Sequence, residues 1–223
     1  MAIFSGNALK LIAAASMFLD HMGLMLFPGN VLLRILGRLA LPIYAYMISE
    51  GCKYTRNKKK YFGMVFSLAA VCQAVYFLFA GDTYLSILFT FSLAILTICT
   101  LQAYKAAPGI QTGLLAILAI VGVYALNAAF AIDYGFWGCM LPVFPALLHN
   151  TPYDKKEWNV AMLGLGLVLL ALNIGGIQWY ALAALPLLLL YSGHRGKWKM
   201  KYFFYIFYPA HLVLLEAIAM LHR

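Results

Sequence analysis

The sequence predicts an all-α, polytopic membrane helix bundle of about nine transmembrane helices, forming a single domain over residues 1–223. Three observations carry this. Hydrophobic residues make up 65% of the chain and charged residues 10%, with a mean hydropathy of +0.87, well outside the balance of soluble globular domains. The apolar residues gather into runs near the length that crosses a bilayer, and no polar stretch is long enough for a separate soluble domain. Lysines and arginines fall in alternate loops, as they do in multi-pass proteins.

The first run, Ala8–Phe27, lacks a strongly basic leader and a small-residue cleavage site, and it carries Asp20 and His21 within it. It therefore reads as a permanent span rather than a cleaved signal. The turn Phe27-Pro28-Gly29-Asn30 folds it back against Val31–Gly51. The spans expected after this hairpin are Tyr61–Ala80, Tyr84–Ala103, Gln111–Ala131, Gly135–His149, Trp158–Asn173, Gln178–Tyr191 and Tyr202–Leu221. The sixth and eighth of the nine are short and contain Pro142, Pro145 and Pro186, which predicts tilted, broken or re-entrant segments.

Orientation follows from the basic residues. With the N-terminus inside, thirteen of the sixteen lysines and arginines lie in inner segments, from Lys10 through the Lys53–Lys60 loop to the Arg195–Lys201 loop, and only Arg223 lies outside. The positive-inside rule thus predicts a cytoplasmic N-terminus and an outer C-terminus. The net charge of +9 is accounted for by topology, and nucleic acid is not an expected partner. Cys52, Cys72, Cys99 and Cys139 show no C-x-x-C spacing, so neither a metal site nor a disulfide framework is expected.

The chemistry concentrates in the first hairpin. Asp20, His21, Arg34 and Arg38 are ionisable groups in apolar segments, where a charge costs at least ~3 kcal/mol unless it is paired or wetted. At about 1.5 Å per residue, Asp20 and His21 lie roughly 10–12 Å before the turn and Arg38 roughly 12 Å after it, so the groups share a depth. One carboxylate faces two guanidinium groups, leaving a surplus positive charge suited to an anion or a developing oxyanion. A buried ion-pair lock is the competing reading, but a purely structural lock does not require His21, which can move a proton near neutral pH.

In the last span Tyr202, Tyr205 and Tyr208 recur every third residue and His211 continues the row. By helical rise His211 lies about 15 Å from Lys201, and His21 a similar distance from Lys10, so the two histidines are expected to meet. The basic loops containing Arg56, Lys58 and Lys59, and Arg195, Lys197 and Trp198, suit either anionic lipid or a phosphate-rich ligand entering from the cytoplasm. Glu50, beside the first of these loops, is expected to neutralise Lys53 or Arg56.

Several segments resemble the TraX family, conjugal-transfer membrane proteins associated with acetylation of the pilin N-terminus. They are Leu9–Ala13 continuing to Met17-Phe18-Leu19-Asp20-His21-Met22-Gly23, then Leu33-Arg34-Ile35-Leu36-Gly37-Arg38-Leu39-Ala40-Leu41-Pro42-Ile43. Glu50-Gly51 with Tyr54-Thr55-Arg56-Asn57 and Lys60-Tyr61, Asp133-Tyr134-Gly135, and Tyr202–Tyr205 through Tyr208-Pro209-Ala210-His211 complete the match. The family is similar to the wider group of transmembrane acyltransferases, which take an acyl group from cytoplasmic acyl-CoA and use a membrane-embedded histidine.

The resemblance implies an acetyltransferase of the bacterial cytoplasmic membrane that moves an acetyl group from acetyl-CoA to an amine or hydroxyl. A pilin-like N-terminus or a cell-envelope sugar is the expected acceptor. His21 is then the general base, with Asp20 orienting its ring and Arg34 or Arg38 stabilising the oxyanion, and His211 a further catalytic candidate. Arg56, Lys58, Lys59, Arg195, Lys197 and Trp198 are the expected coenzyme contacts. A proton-coupled transporter and a non-catalytic assembly factor for a pilus or secretion system are the competing readings; no internal repeat supports the first.

Overall fold

A backbone in hydrocarbon has to satisfy its own N–H and C=O groups, and this chain does so with helices. The computed structural model describes residues 3–81, 83–197 and 200–221, the side chains of 79, 80, 201 and 202 excepted. In chain order the helices are α1 (Gly6–Met25), α2 (Val31–Gly37), α3 (Ala40–Tyr54), α4 (Lys58–Ala80), α5 (Ile87–Ala106) and α6 (Ile110–Ala129). They continue with α7 (Gly135–Met140), α8 (Val143–Ala146), α9 (Lys156–Ile174), a 3-10 helix (Gly176–Ala184), α10 (Leu185–Leu189) and α11 (Lys201–Leu221). The β pairing among the described residues is limited to two isolated bridges, Phe4 with Tyr191 and Leu85 with Ile132.

Among the described residues, seven stretches are long and apolar enough to cross a membrane: Gly6–Met25, Val31–Tyr54, Lys58–Leu78, Ile87–Ala106, Ile110–Ala129, Lys156–Ile174 and Phe203–Leu221. The sixth and eighth expected spans are the shorter apolar segments Gly135–Ala146 and Gly176–Leu189. Proline explains both, because it removes a helical donor and crowds the preceding turn. Pro142 separates α7 from α8, and Pro186 stands where the 3-10 helix gives way to α10. The second expected span, written above as one helix, is also broken: α2 stops at Gly37 and α3 begins at Ala40. Arg38 and Leu39 bond back only three residues, to Ile35 and Leu36, and Pro42 supplies no donor to continue the ladder.

The chain divides into two compact units, Met1–Met47 with Ile174–Arg223 and Ile48–Asn173. In the first unit the start of α1 is capped twice. The Ser5 hydroxyl accepts from the Ala8 N–H at 3.2 Å, and the Gly6 and Asn7 N–H groups donate to the carbonyls of His194 and Arg195 at 2.8 and 2.9 Å. The Arg195–Lys197 loop is thereby held at the N-terminus of α1, near Lys10, whose ammonium lies 6.0 Å from the Phe204 ring.

In the second unit the ends of α5 define two poles. At its start, the Leu85 N–H donates to the Ala131 carbonyl and the Asp133 N–H to the Leu85 carbonyl, both at 2.9 Å. Tyr134 and Gly135 there adopt φ of 59° and 60°, which makes Asp133-Tyr134-Gly135 a tight turn. At its end, the Lys105 ammonium caps the carbonyls of Ala146, Leu147 and His149 at 3.2, 2.6 and 3.2 Å. The broken Gly135–His149 segment therefore covers the distance between the two ends of α5.

Beside Lys105's partners, Lys53 donates to Asp154 at 2.8 Å, and Glu50 is a further opposite charge acting on Lys53, as expected. Burial pushes the Asp154 carboxyl up, but hydrogen bonds from Lys53, Asn159 and the Asn150 N–H outweigh this and hold it at about 2, below its ordinary 3.8. In the basic loop Asn57 caps α4 by accepting from the Lys60 N–H at 2.8 Å. A Cβ on Gly51 would lie 2.5 Å from the Tyr61 hydroxyl, which accounts for both residues as a packing pair.

Candidate functional site: a buried carboxylate, two arginines and two histidines

Helix α1 presents two faces to two neighbours. Ser16, Asp20 and Gly23 follow at i, i+4 and i+7, on one side of the helix, and meet α2. The Ser16 hydroxyl donates to the Leu36 carbonyl, and a Cβ on Gly23 would lie 2.9 Å from the Leu33 Cβ. A Cβ on Gly37 would collide with the Asp20 Cβ, Cγ and Oδ1. The missing side chain at 37 is thus the space the Asp20 carboxylate occupies.

Both arginines close on that carboxylate. Arg34 Nη1 donates to Asp20 Oδ2 at 2.9 Å and to the Asp20 carbonyl at 3.2 Å, while Arg38 Nη2 donates to Asp20 Oδ1. Arg38 also donates from Nε to the Arg34 carbonyl at 3.2 Å and from Nη1 to Gln178 Oε1 at 3.3 Å. The side chains differ in exposure, 9% for Arg38 and 27% for Arg34. An open depression of about 190 Å³ at the hairpin turn, lined in part by Gly23, Asn30 and Arg34, accounts for Arg34's greater exposure.

The other face of α1 meets α11. His21 Nδ1 and His211 Nε2 are 3.0 Å apart, with ring centroids at 5.1 Å, so the histidines meet as the depth argument anticipates. His211 Nδ1 lies 2.8 Å from the Phe207 carbonyl. A carbonyl only accepts, so Nδ1 of His211 carries a proton. In a neutral ring its Nε2 then accepts, and Nδ1 of His21 donates. The chain of bonds leaves the lone pair of His21 on Nε2.

This corrects one expectation. Both Asp20 oxygens are engaged by arginines, and the His21 ring is hydrogen-bonded to His211 and to the Met17 carbonyl, with Asp20 acting on it through charge alone. Of the expected tyrosine row, Tyr208 meets His211 edge-on with centroids 5.8 Å apart and the Tyr202 side chain lies outside the described residues; Phe203, Phe207 and His211 form a second row at i, i+4 spacing, with centroids 5.7 and 4.8 Å apart and interplanar angles of 27° and 10°. Residue 178, placed in the eighth span without a role, supplies a buried amide to Arg38.

Of the expected coenzyme contacts, Arg56, Lys58 and Lys59 belong to the second unit and Arg195 and Lys197 to the first. Arg56, Lys59, Arg195 and Lys197 are exposed and Lys58 is half-buried. Trp198 lies outside the described residues.

An all-helical, multi-pass membrane protein whose α1 carries an ion-paired carboxylate next to a histidine paired with a second histidine on α11 is the class these features define. The chain belongs to the TraX family: the family's sequence model, described as "TraX protein", matches residues 5–219. It is also similar to a Dichelobacter nodosus protein described as "Probable fimbrial assembly protein FimC, serogroup H1". The two are 29% identical over 251 aligned positions, covering 95% of this chain and 94% of the relative. No solved structure matches the chain.

Proposed function

We propose that the protein is an integral-membrane acetyltransferase that moves an acetyl group from acetyl-CoA to an amine or hydroxyl acceptor. The observation that supports this best is the His21–His211 contact, which leaves an unprotonated ring nitrogen, Nε2 of His21, on the residue next to the ion-paired Asp20. Acetyl-CoA supplies an activated thioester. His21 removes a proton from the acceptor nitrogen or oxygen as that atom attacks the thioester carbon. The cationic cluster favours the negative charge gathering on the carbonyl oxygen. As the carbon–sulfur bond breaks, His21 returns the proton to the departing sulfur, and atoms and charge balance.

Arg195 and Lys197, exposed at the N-terminus of α1 in the unit that carries His21, are the proposed contacts for the coenzyme's phosphates. The depression beside Arg34 is the proposed approach for the acceptor. The name of the Dichelobacter relative supports a pilus-related setting, with a pilin-like amine as acceptor and the bacterial cytoplasmic membrane as location. That same name also favours a second reading, a non-catalytic assembly factor. Purified protein incubated with acetyl-CoA and a pilin N-terminal peptide separates the two: peptide-dependent release of free coenzyme thiol is expected. Failure to bind acetyl-CoA or to release thiol with amine or hydroxyl acceptors leaves the assembly role.

A further inference from the structure

Gln178 is 2% exposed and its Nε2 has no hydrogen-bond partner among the described residues. Its orientation is fixed by chemistry: Arg38 only donates, so the atom 3.3 Å from Arg38 Nη1 is the oxygen Oε1, and the two N–H groups occupy the other position. A 3-10 turn positions it, with the Gln178 N–H donating to the Gly175 carbonyl at 3.2 Å and Gly175 and Gly176 at φ of 75° and 57°. A residue serving only to hold Arg38 would do better as a carboxylate, which would also cancel the surplus charge of Asp20, Arg34 and Arg38. The amide keeps that surplus and adds a buried donor beside it.

We infer that Gln178 Nε2 and the Arg38 guanidinium together form a binding site for an anionic oxygen. Its ligand class is a carboxylate, or a thioester carbonyl oxygen as it gains charge. Resting on the proposed acetyl transfer, the site deepens that reading by giving the oxyanion a specific donor on the 3-10 helix. The oxygen accepts from Gln178 Nε2 while negative charge accumulates, and releases that bond when the carbonyl re-forms and the sulfur leaves.

The test uses the full chain in detergent, as wild type, Gln178→Glu and Gln178→Leu, with acetate ion as the probe. Melting temperature is compared in sodium acetate and sodium chloride at equal ionic strength. The expected result is an acetate-dependent rise in the wild type that exceeds the rise in both variants, because the first replaces the donor with a second acceptor and the second removes it. Transfer should fall about 100-fold in kcat in both variants, the usual scale for one lost oxyanion donor, with the KM for acetyl-CoA little changed. A wild type that responds to acetate no more than the variants overturns the site. So does a Gln178→Glu protein that keeps the wild-type response. An acetate response that depends on Gln178 in a protein that transfers no acetyl group upholds the site and rejects the proposed reaction.

Discussion

His21 Nδ1 and His211 Nε2 stand 3.0 Å apart across 190 residues of sequence, and the Phe207 carbonyl behind them sets which nitrogen carries each proton. In the proposed reaction His211 is a positioning residue: it acts through His21. His21→Ala should lose about 100- to 10,000-fold in transfer, the range for a general base, while acetyl-CoA binding is retained. His211→Phe keeps a ring to stack on Phe207 but removes the acceptor, and should lower kcat with little change in KM. His211→Gln, which can again accept from His21 Nδ1, should recover part of that loss. Kinetics of the three variants beside their melting temperatures check the relay, since a merely packed ring would make His211→Phe the better-tolerated change.

Gly37→Ala should disrupt the hairpin, because the added methyl takes the space of the Asp20 carboxylate. Gly122→Ala is the control: it lies within α6 with nothing within 4 Å of an added Cβ, and helix propensity alone favours alanine by about 0.8–1.0 kcal/mol. Melting temperatures in detergent should move in opposite directions. Asp20→Asn should be more damaging than Arg38→Ala, because it leaves both guanidinium groups without their carboxylate, a loss on the scale of about 3–5 kcal/mol for a broken buried pair, whereas Arg38→Ala leaves Asp20 paired with Arg34.

Asp154 predicts a pH dependence. Its folded-state value of about 2 lies below its ordinary 3.8, so its stabilisation is present above about pH 4 and is lost as pH falls towards 2. Asp154→Asn should melt below the wild type at pH 7, and the gap should close between pH 4 and 2 in thermal scans at stepped pH.

Neutralising Arg195 and Lys197 together, as Arg195→Gln and Lys197→Gln, should raise the KM for acetyl-CoA more than it lowers kcat, because phosphate contacts contribute mostly uniform binding. Steady-state kinetics and direct acetyl-CoA titration check this; unchanged affinity would assign the loop to topology alone.

Cysteine labelling in intact cells tests the membrane orientation. Lys53 and Asp154 are bonded, so probes at Lys59 and Lys155 should be reached from one side, the cytoplasm. A probe at Tyr84, whose hydroxyl donates to Asp133 at 3.1 Å, should be reached from the other.

The first hairpin was legible because ionisable groups are rare in apolar runs and helical rise fixes their depth; the same arithmetic brought His21 to His211. The break at Gly37–Ala40 was signalled by Pro42, but apolarity continues through it, and apolarity marks spans without marking their interruptions. Lys53 and Asp154, 101 residues apart, were not paired because nothing local links them. Gln178 was silent for a related reason: a lone amide in an apolar segment acquires meaning only from the guanidinium placed against it. Of the shared motifs, Gly51 with Tyr61, Asn57 and Asp133-Tyr134-Gly135 serve packing, capping and turning, while Asp20-His21, Arg34, Gly37-Arg38 and His211 converge.

The contact between α1 and α11 also governs biogenesis. As the chain leaves the ribosome, the Asp20 clamp can close once α2 has been made, so the early hairpin enters the bilayer with its carboxylate already paired. The imidazole pair waits for α11, and the first N–H groups of α1 wait for residues 194 and 195. A chain not yet made as far as α11 thus holds a paired carboxylate in its first hairpin without the imidazole contact.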